Sequence, residues 1–286
     1  MKLRKSSRRQ AKIKMALQGP AGSGKTYSSL LIAKGLLNGR FEKVAVIDSE
    51  KGSSDLYADL GNYNVLALDD YSPEKYIQAI DLCEKEGMEV IIIDSITHAW
   101  EFLLDYHGSL SGNSFTNWNK ITPRQRAFVE RILNSSCHVI ATMRTKQDYV
   151  LNQKDGKYVP EKVGLKAVQR DGVEYEFTVI LDLDIKHFAS SSKDRTGLFM
   201  DKPEFKITPG VGKQIYDWCN SGADVDNMKN QIKNCNSHKE LNELYVKFSD
   251  YADVLNVNFV EQQNLIKRKS LTNLQNVSKN GTTSSQ

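Results

Sequence analysis

No run of eighteen consecutive apolar residues occurs anywhere in this 286-residue chain, so nothing in it reads as a membrane span. The N-terminus lacks the apolar core of a secretory leader, and the expectation is a cytoplasmic protein with no membrane partner. Cysteine is scarce: Cys83, Cys137, Cys219 and Cys235 stand far apart with no C-x-x-C spacing. They read as reduced residues, which argues against a disulfide framework or a zinc site. Histidines 98, 107, 138, 187 and 238 are equally dispersed, and there is no internal repeat. Acid is missing from the first fourteen residues, where Lys2, Arg4, Lys5, Arg8, Arg9, Lys12 and Lys14 supply seven cations within an overall charge of only +4. This basic arm reads as a solvated mobile segment or as a nucleic-acid contact.

What is present is a complete G-x-x-x-x-G-K-[ST] element, Gly19-Pro20-Ala21-Gly22-Ser23-Gly24-Lys25-Thr26. Glycines at 22 and 24 let the backbone curl so that successive N–H groups and the next helix N-terminus face a phosphate. Lys25 adds a cation for the β- and γ-phosphates, and the Thr26 hydroxyl suits Mg²⁺. The flanks agree: Ile13–Leu17 reads as a short buried strand, and Tyr27–Leu37 carries apolar residues at helical spacing. ATP with Mg²⁺ is therefore the expected ligand.

Beyond this loop, β-branched runs alternate with helical patterns, the signature of a mostly parallel sheet wrapped by helices. Strands are expected at Ile13–Leu17, Val44–Asp48, Val65–Ala67, Val90–Asp94, His138–Met143 and Thr178–Ile185. Helices are expected at Thr26–Leu37, Pro73–Glu86, Ile96–Asp105, Pro123–Ser135 and Gly212–Cys219, with a short strand over Glu204–Ile207. The composition then shifts toward Asn, Lys and Glu. The division that results is a basic arm (1–12), an α/β ATPase domain (13–222), a helical appendage (223–275) and a disordered tail (276–286).

Val90-Ile91-Ile92-Ile93-Asp94 has the composition of a buried central strand ending in an acid. Ligands bind at that edge of an open α/β sheet, so Asp94 joins Thr26 as a candidate for the Mg²⁺ shell. The residue after Asp94 is Ser95, where many hexameric motor ATPases carry a catalytic Glu, so the base must come from elsewhere. Val44–Asp48 also ends at this edge and leads to Glu50, placed to deprotonate an attacking water, with Asp48 as the competing acid.

A strand-end Glu50 followed by a later Asp94-Ser95 strand resembles the RecA-like recombinase and replicative-helicase ATPases. The resemblance is sharpest to the phage and prophage RecA-like AAA-domain ATPases of the single-strand-annealing recombination group. It rests on Lys14–Thr26, on Gly164–Arg170 with Glu174–Phe177, and on Lys193–Phe199, and covers roughly residues 13–220. It implies a RecA-like P-loop NTPase fold and several roles. Tyr57, seven residues beyond Glu50, matches the spacing of an adenine-stacking tyrosine, and a buried helix residue is its plain alternative. Lys193 and Arg195 look like a Lys-x-Arg element that reaches a neighbour's γ-phosphate, which implies a homo-oligomeric ring or filament. Where bacterial recombinases carry a γ-phosphate-sensing Gln, this chain has Thr142 and Arg144 nearby.

Two long loops fall where RecA-like filaments contact DNA. His107–Thr122 carries Phe115 and Trp118, and Lys146–Asp171 carries Lys154, Lys157, Lys162, Lys166 and Arg170 between tyrosines. Cations for phosphates and aromatics for bases suit single-stranded DNA. The second segment also reads as a β-hairpin turned by Asp155-Gly156. The functional expectation is a DNA-stimulated ATPase in phage-type recombination, single-strand annealing or repair, with single-strand-binding or annealing proteins as further partners. A RecA-fold helicase or replication ATPase is the nearest alternative. A small-molecule P-loop kinase would want a lid with clustered arginines. A partition-type regulatory ATPase would want an early second Lys where Pro20-Ala21 stands.

Overall fold

Strands without polar alternation need apolar cover on both faces. The computed structural model describes residues 6–154 and 157–280, without the side chains of 147–163 and 271–280. Its strands are β1 (Lys14–Gly19), β2 (Val44–Asp48), β3 (Asn64–Ala67), β4 (Val90–Asp94), β5 (His138–Lys154), β6 (Lys157–Ala167), β7 (Val179–Leu183), β8 (Phe188–Asp194) and β9 (Phe205–Lys206). They lie in the order β3-β2-β4-β5-β1-β7-β8-β9. The first six in that order are mutually parallel, and β8 and β9 extend the edge antiparallel.

Helices α1 (Lys25–Leu36), α2 (Pro73–Lys85), α3 (Thr97–Ser109), α4 (Ser114–Leu133) and α5 (Pro209–Asn220) cover the sheet. Successive strand residues alternate between faces. Val44, Val46, Val90 and Ile92 pack with Leu30 and Ile32 of α1 and Ile215 of α5. Ala45, Ile47, Ile91 and Ile93 pack with Tyr76 and Ile80 of α2 and Phe128 and Ile132 of α4. Helices α1 and α5 meet backbone to backbone through two glycines. A Cβ on Gly35 would stand 1.9 Å from the Pro209 carbonyl oxygen, and one on Gly212 2.1 Å from that of Ile32.

Two segments depart from the sequence expectation. The loop expected over His107–Thr122 shrinks to Leu110–Asn113, because α3 runs on to Ser109 and α4 starts at Ser114. Asn113 caps α4, its side chain accepting from the Phe115 N–H at 2.9 Å. Ile121 packs against Trp100, Leu103 and Trp118, and this burial outweighs the loop-like Gly, Ser and Asn content. Pro123, expected at the first turn of a helix, stands inside α4, where it forgoes one backbone bond. Lys146–Asp171, read as a loop or a hairpin, is largely hairpin: β5 runs far past Met143 and β6 returns along it, from Thr145 opposite Ala167 to Lys154 opposite Lys157.

The chain divides into two compact units, Lys12–Cys219 and a second made of Met1–Ala11 with Asn220–Gln286. The second holds α6 (Val225–Asn234), α7 (His238–Lys247) and α8 (Ala252–Asn280) around Ile232, Leu241, Phe248, Leu255 and Phe259. Within it the Ala223 N–H donates to the Arg8 carbonyl and the Gln10 N–H to the Ala223 carbonyl, both at 3.0 Å. The basic arm is thus stitched to the helical unit at Arg8–Gln10. The tail expected to be disordered from 276 continues as helix to Asn280, the last residue before Gly281. Among the described residues no helix is long and apolar enough to cross a membrane.

His138, 3% exposed at the start of β5, accepts the Ile13 N–H on Nδ1 at 3.1 Å. Burial, reinforced by the cations of Lys12 and Lys14, pushes its imidazole down to about 3. The unfolded chain therefore takes up this proton first as pH falls below about 6.5. Stability should drop between there and pH 3 by up to about 1.4 kcal/mol per pH unit from this group. His138→Gln, whose amide oxygen can still accept from Ile13, should flatten that slope in urea titrations. A slope equal to wild type would exclude His138 as the titrating group.

Candidate active site

The parallel strands end together at one edge, and the Gly19–Thr26 loop curls there between β1 and α1. Gly22 and Gly24 take φ of +79° and +83°, the left-handed region that glycine enters without strain. Gly24 caps α1. A Cβ on it would also press on His187 Nδ1 at 3.2 Å. Lys25 Nζ donates to the Gly19 and Pro20 carbonyls at 3.0 and 2.9 Å. Burial holds its ammonium below the ordinary lysine range, against the pull of the Asp94 and Glu50 carboxylates.

Asp94 ends β4 at 2% exposure. Its carboxylate accepts the Thr26 hydroxyl at 2.6 Å and the Thr142 hydroxyl at 2.5 Å. Burial nevertheless raises its pKa above the ordinary aspartate value. The two acids at the end of β2 separate. Asp48 is buried and closes its own turn, accepting the Glu50 N–H and the Ser54 hydroxyl, each at 2.6 Å. Glu50 instead lines a cleft of about 820 Å³ with Lys25, Thr26, Tyr57, Asp94 and Arg144. The Arg144 guanidinium grips both its oxygens, Nε to Oε1 at 3.0 Å and Nη2 to Oε2.

The remaining expected residues fall into three groups. Tyr57 lines the cleft, its ring tilted against Tyr27 with centroids 5.6 Å apart. Lys193 and Arg195 do not line it; they donate to the Glu174 and Tyr175 carbonyls, each at 2.7 Å. Of the proposed DNA residues, Trp118 sits in α4 stacked on His107, with centroids 4.3 Å apart. Lys166 pairs with Asp171 at 2.7 Å, and Arg170 joins Trp100 and Trp118 around a smaller hollow. The side chains of Lys154, Lys157 and Lys162 lie outside the described residues.

The cleft also has walls that sequence reading missed. His187, Lys206 and Ile207 reach it from the β7–β8 turn and β9. His187 occupies a left-handed φ of +66°, which nothing in its neighbours announces. His98 lies behind Glu50, and its position four residues past Asp94, at the same sheet edge, is a signal that could have found it.

A family model described as AAA domain matches residues 11–213, most of the chain and all of this cleft. The chain belongs to the AAA-domain family. None of the curated proteins compared with it matches. It is a nucleotide-binding ATPase with the α/β fold of P-loop NTPases, and the cleft at the sheet edge is lined by the Gly19–Thr26 loop.

In this AAA-domain ATPase, Lys25→Ala removes the phosphate-facing cation without touching the core. A charge-assisted bond of about 1.5–3 kcal/mol corresponds to roughly 10- to 100-fold weaker nucleotide binding. Titration with a fluorescent ATP analogue checks it, alongside a thermal melt that should not move. Undiminished affinity would remove the loop from nucleotide binding.

Proposed function

We propose that this ATPase couples Mg²⁺-dependent ATP hydrolysis to single-stranded DNA in phage-type recombination, annealing or repair. The observation that carries the reading is Glu50. It shares one cleft with the phosphate loop and Asp94, and from there its carboxylate can accept a proton from a water attacking the γ-phosphate. The donor chemistry suits a hard divalent cation, since the Thr26 hydroxyl and the Asp94 carboxylate form an all-oxygen pair. Mg²⁺ held there supplies charge neutralisation at the phosphate oxygens. The loop N–H groups and Lys25 bind and orient the phosphates, and Tyr57 with Tyr27 offers ring surface for the base.

Support for DNA is of a different kind. Strand β5 carries Arg144 in the cleft and continues without a break into the β5–β6 hairpin, whose sequence holds Lys146, Lys154, Lys157, Lys162 and Lys166. A cationic hairpin rooted at the active site suits a sequence-tolerant association with phosphates. Lys193 and Arg195 belong in this reading to the next subunit's site in a ring or filament. Support for that is their placement outside their own chain's cleft.

Two measurements test the proposal. Glu50→Gln should bind ATP within about twofold of wild type and lose hydrolysis by about 100-fold or more, within the range for a general base. Hydrolysis near the wild-type rate would exclude Glu50 as the base. Replacing Lys154, Lys157 and Lys162 together with Gln should weaken binding to an oligo-dT strand and lower the salt dependence of log K. The slope should fall by roughly 0.7 for each phosphate that is no longer neutralised. An unchanged slope would place any DNA-binding surface away from the hairpin.

A further inference from the structure

We infer that His98 is a positioning residue for Glu50, donating from Nε2 to one carboxylate oxygen so that the other is free for water. The inference rests on the reading of Glu50 as the base. His98 is the second residue of α3, and its Nε2 lies 4.0 Å from Glu50 Oε1. That is about 1 Å beyond a hydrogen bond, a gap that a side-chain torsion closes. The ring is fixed from two sides: it stacks on Tyr71 with centroids 5.0 Å apart, and its Nδ1 lies 2.8 Å from Ser49 Oγ.

Ser49 is the Nδ1 partner. Its oxygen already accepts the Ser95 N–H at 2.9 Å, so its one proton must go to His98 Nδ1 or to a carbonyl. Nδ1 at 2.8 Å is nearer than the Asp94 and Ser95 carbonyl oxygens, both at 3.1 Å. The Ser49 oxygen keeps a second lone pair, so 2.8 Å fits a proton on either atom; the proposed role takes the form in which Ser49 donates to Nδ1 and the ring carries its own N–H on Nε2, the atom that faces Glu50. The charged groups around the ring are Arg144 from β5, Glu50 from the end of β2, Glu101 on α3 and Asp94 at the end of β4. Burial, with Arg144 next to it, keeps the imidazole below its ordinary pKa and therefore neutral near pH 7.

The need for such a donor follows from Arg144. While the guanidinium grips both oxygens, two of the four carboxylate lone pairs of Glu50 are taken up by a cation. When Arg144 turns toward a phosphate, the carboxylate is left on a short turn with nothing to hold it. A neutral N–H orients a carboxylate while withdrawing less of its basicity than a cation does.

The test is single-turnover ATP hydrolysis and ATP affinity for the full chain. It compares His98→Ala and His98→Gln in the wild-type and Glu50→Gln backgrounds. His98→Ala should slow hydrolysis about tenfold, the worth of one hydrogen bond to a charged group, with ATP affinity within about twofold. His98→Gln keeps an N–H donor and should recover most of the rate. In the Glu50→Gln background His98→Ala should cost nothing further, because its effect passes through the carboxylate. An equal loss in both backgrounds, or a loss in affinity instead of rate, would make the role structural and overturn the inference. A normal rate for His98→Ala beside an inactive Glu50→Gln would overturn it while leaving the base in place. An active Glu50→Gln would overturn both readings together.

Discussion

The carboxylate of Asp94 is the constraint on which the site depends. A carboxylate buried to this degree is costly unless its oxygens are paired, and the chain pairs them with two hydroxyls from two different elements. Thr26 brings in the start of α1, and Thr142 brings in β5. The backbone around Asp94 is tied as closely. Ser49 N–H donates to the Asp94 carbonyl at 2.8 Å, Ile96 N–H to the Thr142 carbonyl at 3.1 Å, and Arg144 N–H to Thr97 Oγ1 at 3.0 Å. The ends of β2, β4 and β5 and the first turn of α1 are therefore held in one arrangement. The parallel topology is what makes this possible, since it gathers strand C-termini at a single edge.

Strand β5 extends that arrangement outward. It supplies Thr142 to Asp94, then Arg144 to Glu50, and then leaves the sheet as the first leg of the hairpin. The second leg returns to the same place. Val168 N–H donates to the Arg144 carbonyl at 2.8 Å, and the buried Gln169 amide donates to the Ile96 carbonyl at 2.6 Å. Both legs thus end on the turn that follows Asp94. A displacement of the hairpin loads bonds close to the Asp94 and Glu50 carboxylates, through adjoining hydrogen bonds and not through a distant element.

The parts legible in the sequence were those fixed by short-range chemistry. The phosphate loop could be read because only glycine suits its backbone, and the strands Val44–Asp48 and Val90–Asp94 because buried parallel strands are uniformly β-branched. Glu50 was legible as a strand-end acid, but the choice between it and Asp48 was not. That choice turns on Ser54, whose hydroxyl and N–H draw Asp48 into its own turn. The start of α4 was hidden because 114–122 is helical through the packing of Ile121 and Trp118, against its local composition. His187 was hidden because it meets the cleft from far away in sequence, whereas His98, four residues past Asp94, was passed over.

Of the cations that line the cleft, Lys25 and Arg144 are both paired within the chain. Lys25 rests on the carbonyls of its own loop, and Arg144 on Glu50. These pairs differ in what they release. Freeing Lys25 exposes two neutral carbonyls, whereas freeing Arg144 exposes the Glu50 carboxylate. A polyphosphate offers Lys25 a stronger acceptor than a carbonyl, and offers Arg144 an anion in place of the Glu50 carboxylate. A phosphate within reach of Lys25 alone exchanges one set of bonds for another. One that also draws Arg144 away uncovers the Glu50 carboxylate in the same movement. Under the proposed role of Glu50, a single guanidinium would connect recognition of the terminal phosphate to exposure of that carboxylate.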